Sequence, residues 1–143
     1  MKTLFVYTIL LQFSSNIFCA PLRSEEEAKK IANNMMNLVA EEQYNEAFSS
    51  VKGYWPIPEE EVTNLAILTK NQLLSTKGRF GDVIETEFIR SDKIGKSYIR
   101  YIYIQKFEKH ATRWQIVFYK PKESWLVNSV IWDDQTHGLF NMP

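Results

Sequence analysis

The sequence predicts an α+β fold: a cone-like roll in which N-terminal helices pack on a curved antiparallel sheet of about four strands. Two patterns carry that reading. Apolar residues recur at three- and four-residue spacing through 25–42 and again through 58–77, the period of a helix with one buried stripe. From 97 to 134 the chain reads SYIRYIYIQKFEKHATRWQIVFYKPKESWLVNSVIWDD, aromatic and β-branched runs separated by short polar breaks. Such residues suit a pleated, packed surface, so this stretch reads as a meander.

Residues 1–20, MKTLFVYTILLQFSSNIFCA, place Lys2 ahead of an apolar run and a more polar end, the layout of a secretory signal peptide cleaved near Ala20. The apolar run is too short for a membrane span, so no stable span is expected after cleavage. The expected product, 21–143, is about 120 residues, enough for one domain with a single core. It is expected outside the cytoplasm, periplasmic or secreted. The chain's one cysteine falls within the signal segment, so the mature domain carries no thiol or disulfide chemistry. Lys and Arg number 17 against 17 Asp and Glu, with no basic block, which argues against nucleic acid as a partner.

Along the helical half, Ser24-Glu25-Glu26-Glu27 matches a capping box, and the acidic first turn complements the positive helix end. Ala28, Ile31, Ala32, Met35, Leu38 and Val39 form the buried stripe of a helix running to about Glu42. A short second helix, 44–51, puts Tyr44, Ala47, Phe48 and Val51 on one face and is expected to stop at Gly53. Tyr54-Trp55-Pro56-Ile57-Pro58 is a stiff apolar connector. Pro58 and Glu59-Glu60-Glu61 then open a third helix, with Val62, Leu65, Ala66, Thr69, Leu73 and Thr76 inward and an end at Lys77-Gly78.

In the sheet half, Gly81-Asp82 leads into a strand over 83–90, and Asp92-Lys93-Ile94-Gly95 reads as a type I turn with Gly95 left-handed. That register sets Phe88 opposite Arg100, and a one-residue change sets Glu87 there instead. In the later strands Ile102 and Ile104 oppose Ile99, Tyr101, Tyr103 and Phe107. Trp114, Ile116 and Phe118 oppose Val117 and Tyr119, while Leu126, Val130 and Trp132 oppose Trp125, Val127 and Ile131. A sheet with one wet face alternates apolar with polar residues. These strands are apolar on both sides, so both faces need cover: one from the helices, the other from a partner, a second protomer or the sheet's own aromatic layer.

The order helix, short helix, proline-stiffened link, long helix and four-stranded meander resembles the nuclear transport factor 2-like superfamily, the cystatin-like α+β roll. Locally the resemblance rests on Glu42-Gln43-Tyr44-Asn45-Glu46-Ala47-Phe48, on Phe118-Tyr119-Lys120-Pro121, and on Trp125-Leu126-Val127-Asn128-Ser129 with Trp132-Asp133-Asp134. It covers about 24–134. It implies a cone around a pocket and, in many members, pairing through the outer sheet face. The superfamily includes ketosteroid isomerase-like enzymes, dehydratases, polyketide cyclases and many non-catalytic binding domains, so the fold leaves the function open.

An isomerase-like site would need a carboxylate base and a Tyr or protonated acid. Glu85, Glu87, Tyr101, Tyr103, Asp133 and Asp134 are the residues of the right kind, but none lies in a catalytic motif of the superfamily, and no catalytic residue is assigned. Arg100 and Arg113 interrupt apolar strands; they read either as partners of Glu87 or another strand carboxylate on the outer face, or as groups that orient a carboxylate-bearing ligand. His110 and His137 are too far apart in sequence to suggest a zinc site, and no metal or cofactor is expected. The candidate pocket or interface residues are Tyr44, Trp55, Arg100, Tyr101, Tyr103, Arg113, Trp114 and Trp132. The expected role is an exported, non-catalytic binding module for a small molecule or a protein, with a homodimer as one form. The alternative is an isomerase-, dehydratase- or hydrolase-like enzyme.

Overall fold

Ser24 caps the first helix, α1 (Glu25–Ala40), its Oγ accepting from the Glu27 N–H at 3.1 Å. The return half of the capping box is displaced by one residue, because the Glu27 carboxylate accepts from the Arg23 N–H instead. The structure, a computed structural model, describes residues 21–140; the signal segment expected at 1–20 lies outside the described residues. α1 stops two residues before the expected end. Glu42 there adopts φ 58°, its N–H donates to the Val39 carbonyl, and the Gln43 N–H donates to the Leu38 carbonyl. This is a Schellman ending with glutamate where glycine is usual.

α2 (Tyr44–Val51) buries Tyr44, Ala47, Phe48 and Val51, the face read from the sequence. Gly53 does not end the turn, which tightens into a 3-10 segment through Lys52–Tyr54. α3 (Glu59–Phe80) also overruns its expected end, because Phe80 is itself a core residue. It closes at Gly81, φ 83°, where a Cβ would meet Glu108 Cβ at 2.8 Å. Glycine is needed here for its left-handed backbone and for that close approach. Lys109 N–H donates to the Phe80 carbonyl, so the tip of a hairpin is fastened to the helix end.

The sheet runs β1 (Val83–Ile94), β2 (Tyr98–Phe107), β3 (Ala111–Tyr119) and β4 (Leu126–Asp133), in that order, with neighbours antiparallel. With helices packed on one face, the chain is an α+β fold. α1 packs on β1 and β2, and α2 lies between α1 and α3.

Two details of the sheet differ from the sequence reading. β1 continues through Asp92-Lys93-Ile94, so Ile94 pairs with Tyr98 and the turn shrinks to residues 95–97, with Gly95 at φ 57°. Asp92, not Phe88 or Glu87, therefore stands opposite Arg100, while Phe88 faces Tyr103 and Glu87 faces Ile104. Asp92 resists the turn because two arginines hold its carboxylate within the ladder. In β4 an irregularity at Asn128 sets Ser129 opposite Val117 and Val127 opposite Phe118. The extra residue reverses the alternation, turning Val127 inward with Val130 and Trp132 and leaving Leu126 beside Tyr119.

The inner face and the helices share one core, centred on Trp114, Tyr44, Phe48, Phe118, Met35 and Ile116. The outer face is covered only in its middle. Ile102 is fully buried there and Gln115 nearly so, and a 3-10 turn, Thr136–Leu139, packs on β3 across that middle. The second cover that the strands demand is thus partly the chain's own tail, which has no periodic signal in the sequence. At the margins Ile94 and Ile131 remain 76% and 50% exposed.

Candidate functional site: the outer sheet face

The structure divides the eight candidate residues between the two sheet faces. Tyr44, Trp55, Tyr101, Tyr103, Trp114 and Trp132 lie on the helix side, where all but the half-buried Trp132 are buried; Arg100 and Arg113 point to the other. The two groups do not form one site.

On the inner side the polar groups are already paired. Gln105, fully buried on β2, donates from Nε2 to Tyr44 Oη at 3.0 Å and to the Val39 carbonyl at 3.2 Å. Its Oε1 accepts from Trp114 Nε1 at 3.3 Å and Thr112 Oγ1 at 3.4 Å. Trp132 stacks near Trp114, centroids 6.1 Å apart, and its Nε1 donates to Thr69 Oγ1. Tyr101 Oη donates to the Glu25 carbonyl at 2.8 Å and Tyr103 Oη to Asn33 Oδ1 at 2.6 Å. Burial raises the pKa of both phenols, Tyr101 to about 12, with the Glu25 charge adding to it; Tyr103 also moves up, through burial and the neighbouring Tyr101. Trp55 packs in the same core at the end of the connector.

The concavities are therefore shallow and peripheral. One of about 450 Å³ lies between α1 and the β1–β2 edge, lined by Glu25, Lys29, Asn33, Ser91, Lys93 and Tyr101. Another of about 370 Å³ lies between α2 and α3, against Phe48, Val62 and Ala66. Of the acids, Glu25 and Glu26 share the cleft with Tyr101, while the four that the sequence offers for an isomerase site lie elsewhere. Glu85 and Glu87 sit on the outer face with Lys106, Asp133 pairs with Arg113, and Asp134 with Arg79. No group of three or more His, Cys, Asp or Glu side chains that could hold a metal ion occurs among the described residues. No described helix is long and apolar enough to cross a membrane.

The outer face carries a connected set of charges arranged by the ladder. Asp92 stands across from Arg100, Arg90 from Ile102, and Arg113 across from Asp133, in successive rows. Asp92 accepts from Arg90 Nε at 3.1 Å and from Arg100 Nη2 at 2.7 Å, and Arg100 Nη1 continues to Gln115 Oε1 at 3.2 Å. Arg113 Nη2 donates to Asp133 Oδ2 at 2.6 Å, and Asp133 Oδ1 accepts from the Gln135 N–H that leads into the 136–139 turn. Arg90 Nη1 reaches the Leu139 carbonyl at 3.3 Å. Two buried guanidinium nitrogens, Arg90 Nη2 and Arg113 Nε, have no hydrogen-bond partner among the described residues. Around this centre lie Tyr98 stacked on Tyr119 (4.8 Å), Ile94 and Ile131.

Of these residues, Arg100 and Arg113 were visible as charges inside apolar strands, and each pairs with a strand carboxylate. Asp92 falls in the turn that the sequence suggests at 92–95, Arg90 stands at the last position of the strand read over 83–90, and Gln115 is a polar residue within β3 that carries no signal of its own. A period-two reading carried through to Ile94 places Arg90, Asp92 and Ile94 on one face. Gln105 was missed inside an aromatic run, although it follows Tyr101 and Tyr103 at two-residue spacing.

No protein-family model matches the chain, and no curated protein matches it. A crystal structure from Campylobacter jejuni, described as an NTF2-like transpeptidase, is similar at 17% identity over 72% of this chain and 94% of that one, with a TM-score of 0.44.

Proposed function

We propose that this chain is an exported, non-catalytic binding module of the nuclear transport factor 2-like type, that it works through the outer face of its sheet, and that a second copy of the chain is one partner. One observation carries this reading. The inner side, where a ligand cone would open, is filled by Trp114, Tyr44 and Gln105 with their polar atoms satisfied, whereas the outer face exposes aliphatic side chains around an incompletely paired arginine cluster. Buried polar groups that already have partners offer a ligand little, whereas exposed apolar side chains beside arginines are groups that protein interfaces use. An enzyme of the isomerase kind is less well supported, because the hydroxyls of Tyr101 and Tyr103 both donate within the fold, and Glu25, the acid beside Tyr101, is engaged by Lys93 in a shallow surface cleft.

Sedimentation velocity of the purified protein from micromolar to sub-millimolar concentration tests the proposal. Dimer is expected, and Ile131→Arg should shift the equilibrium to monomer by placing an unpaired charge in the contact. Leu68→Arg, on the exposed side of α3, is the control and should leave the dimer intact. A monomer throughout, or a dimer broken by Leu68→Arg and not by Ile131→Arg, would overturn pairing through this face.

A further inference from the structure

We propose that Arg90 and Arg113, where both meet the 136–139 turn, form a carboxylate-binding site that receives an acidic side chain from a protein partner. The turn occupies that site when the partner is absent. The proposal rests on the outer-face reading and names the chemistry that the face recognises.

Arg90 stands on β1 and Arg113 on β3, two strands apart, yet both side chains converge on the dipeptide Gly138-Leu139. Arg90 Nη1 donates to the Leu139 carbonyl, and a Cβ built on Gly138 would lie 2.9 Å from Arg113 Nη1. A backbone carbonyl satisfies one donor of one arginine. It leaves Arg90 Nη2 and Arg113 Nε buried with no acceptor. Each such N–H forgoes a bond that water supplied before folding, so the site keeps an unmet demand for acceptor oxygens. The ion pairs leave these donors out: Asp92 is taken up by Arg90 Nε and Arg100, and Asp133 by Arg113 Nη2, so neither carboxylate reaches Arg90 Nη2 or Arg113 Nε. A carboxylate offers two oxygens with lone pairs in the geometry of a guanidinium fork, which one carbonyl cannot supply.

The turn is built to be a weak occupant. Residues 136–139 form a single 3-10 turn with no side-chain cap and no buried residue, and Phe140 after it is 91% exposed. Its hydrogen bonds to the sheet are the Leu139 carbonyl on Arg90 and, just before the turn, the Gln135 N–H on Asp133, beside its packing on β3. A short surface turn held by so few bonds can open locally, and a partner seated there would take over its cover of the outer face. Exposed Ile131, across the ladder from Gln115, supplies an apolar shoulder on which the rest of an acidic peptide could rest.

Fluorescence anisotropy with a fluorescein-labelled hexaglutamate peptide, titrated with the intact protein at low salt, tests this; hexaglutamine is the neutral control. Saturable binding is expected for hexaglutamate only. Arg90→Gln and Arg113→Gln should each weaken it roughly tenfold, the loss of one charge-assisted hydrogen bond. Gly138→Ala should tighten it about two- to fivefold, because the added methyl crowds Arg113 and makes the turn a poorer competitor. Arg90 is the more exposed of the two arginines, so its variant keeps the test decisive if Arg113→Gln does not fold. Equal binding of both peptides would overturn the proposal, as would arginine variants within twofold of the parent. Competition by citrate at matched carboxylate concentration with the same potency as the peptide would reduce the site to one for free anions and overturn the protein-partner claim. The Ile131→Arg variant separates this from dimer formation: a monomer that still binds hexaglutamate retains the carboxylate site, whereas a dimer that ignores hexaglutamate loses it.

Discussion

Replacing Gln105 with Leu examines whether the interior of the roll is a closed polar knot or latent space for a ligand. The side chain is fully buried and makes four hydrogen bonds, two through Nε2 and two through Oε1. Not all four partners are stranded by the change. The Val39 carbonyl also accepts from Glu42 N–H at 3.0 Å, and Trp114 Nε1 keeps Thr112 Oγ1 at 3.2 Å. That leaves the Tyr44 hydroxyl without its donor and the Thr112 hydroxyl without its acceptor. An orphaned buried polar group costs about 1–3 kcal/mol, and leucine returns about 1–2 kcal/mol of apolar burial in a similar volume. The net expectation is a loss of about 2–3 kcal/mol, read as a lower urea midpoint by tryptophan fluorescence with an unchanged slope. Adding Tyr44→Phe removes one stranded hydroxyl and should restore about 1 kcal/mol, a coupling that independent sites would not show. If Gln105→Leu is neutral or stabilising, the knot is not satisfied as described and water or a ligand shares the space; the outer-face proposal would then lose its main support.

Two further outcomes follow from local geometry. Glu42 occupies a left-handed position, which costs a non-glycine residue about 1 kcal/mol, while its exposed pairing with Lys77 contributes little. Glu42→Gly is therefore expected to raise the melting temperature by about 2–5 °C, and an unchanged or lower value would refute the strain. The buried phenols determine behaviour in alkali. Because Tyr101 ionises at about 12 in the fold and a free phenol at about 10, its neutral form stabilises the folded chain fully below about pH 10. That contribution drains away as pH rises towards 12. Tyr103 shifts in the same direction. Tyr101→Phe should flatten the loss of stability between about pH 10 and 12, measured by urea unfolding at stepped pH, and a parallel decline in parent and variant would reject the assignment.

Legibility in the sequence followed the strength of periodic burial. The stripe of α2, the inward set Val62, Ala66, Thr69 and Leu73 of α3, and the face Trp114, Ile116 and Phe118 of β3 are each readable because burial repeats with the element's own period. Failures fell where tertiary contacts overrode a local preference. Asp92 and Gly95 spell a turn, but Arg90 and Arg100 hold Asp92 in the strand. Gly78 spells a helix end, but Phe80 two residues on has a place in the core. The bulge at Asn128 reverses a face without any residue that announces it, and the 136–139 turn is too short to have a period at all. The candidate site is half legible: Arg100 and Arg113 stand out as charges inside apolar strands, whereas their companions Asp92 and Leu139 lie beyond the runs that read as strands.

The energetics of the outer face also bear on why it is built from arginines. Asp92 with Arg90 and Arg100 forms a partly exposed network, a class of ion pair that stabilises a fold by about 0–1 kcal/mol. Arg113 is different. Its side chain is only 12% exposed, and a buried guanidinium with Nε unpaired is a burden on the fold that an apolar side chain of similar size would not impose. Ile102 beside it shows that aliphatic side chains fit this layer. Stability alone would favour an apolar pair in place of Arg113 and Asp133 together. An arginine kept there at net cost, aimed at the same turn as a second arginine from a distant strand, is accounted for if the donors have an acceptor to meet, and the carboxylate of a partner is the group whose two oxygens match them.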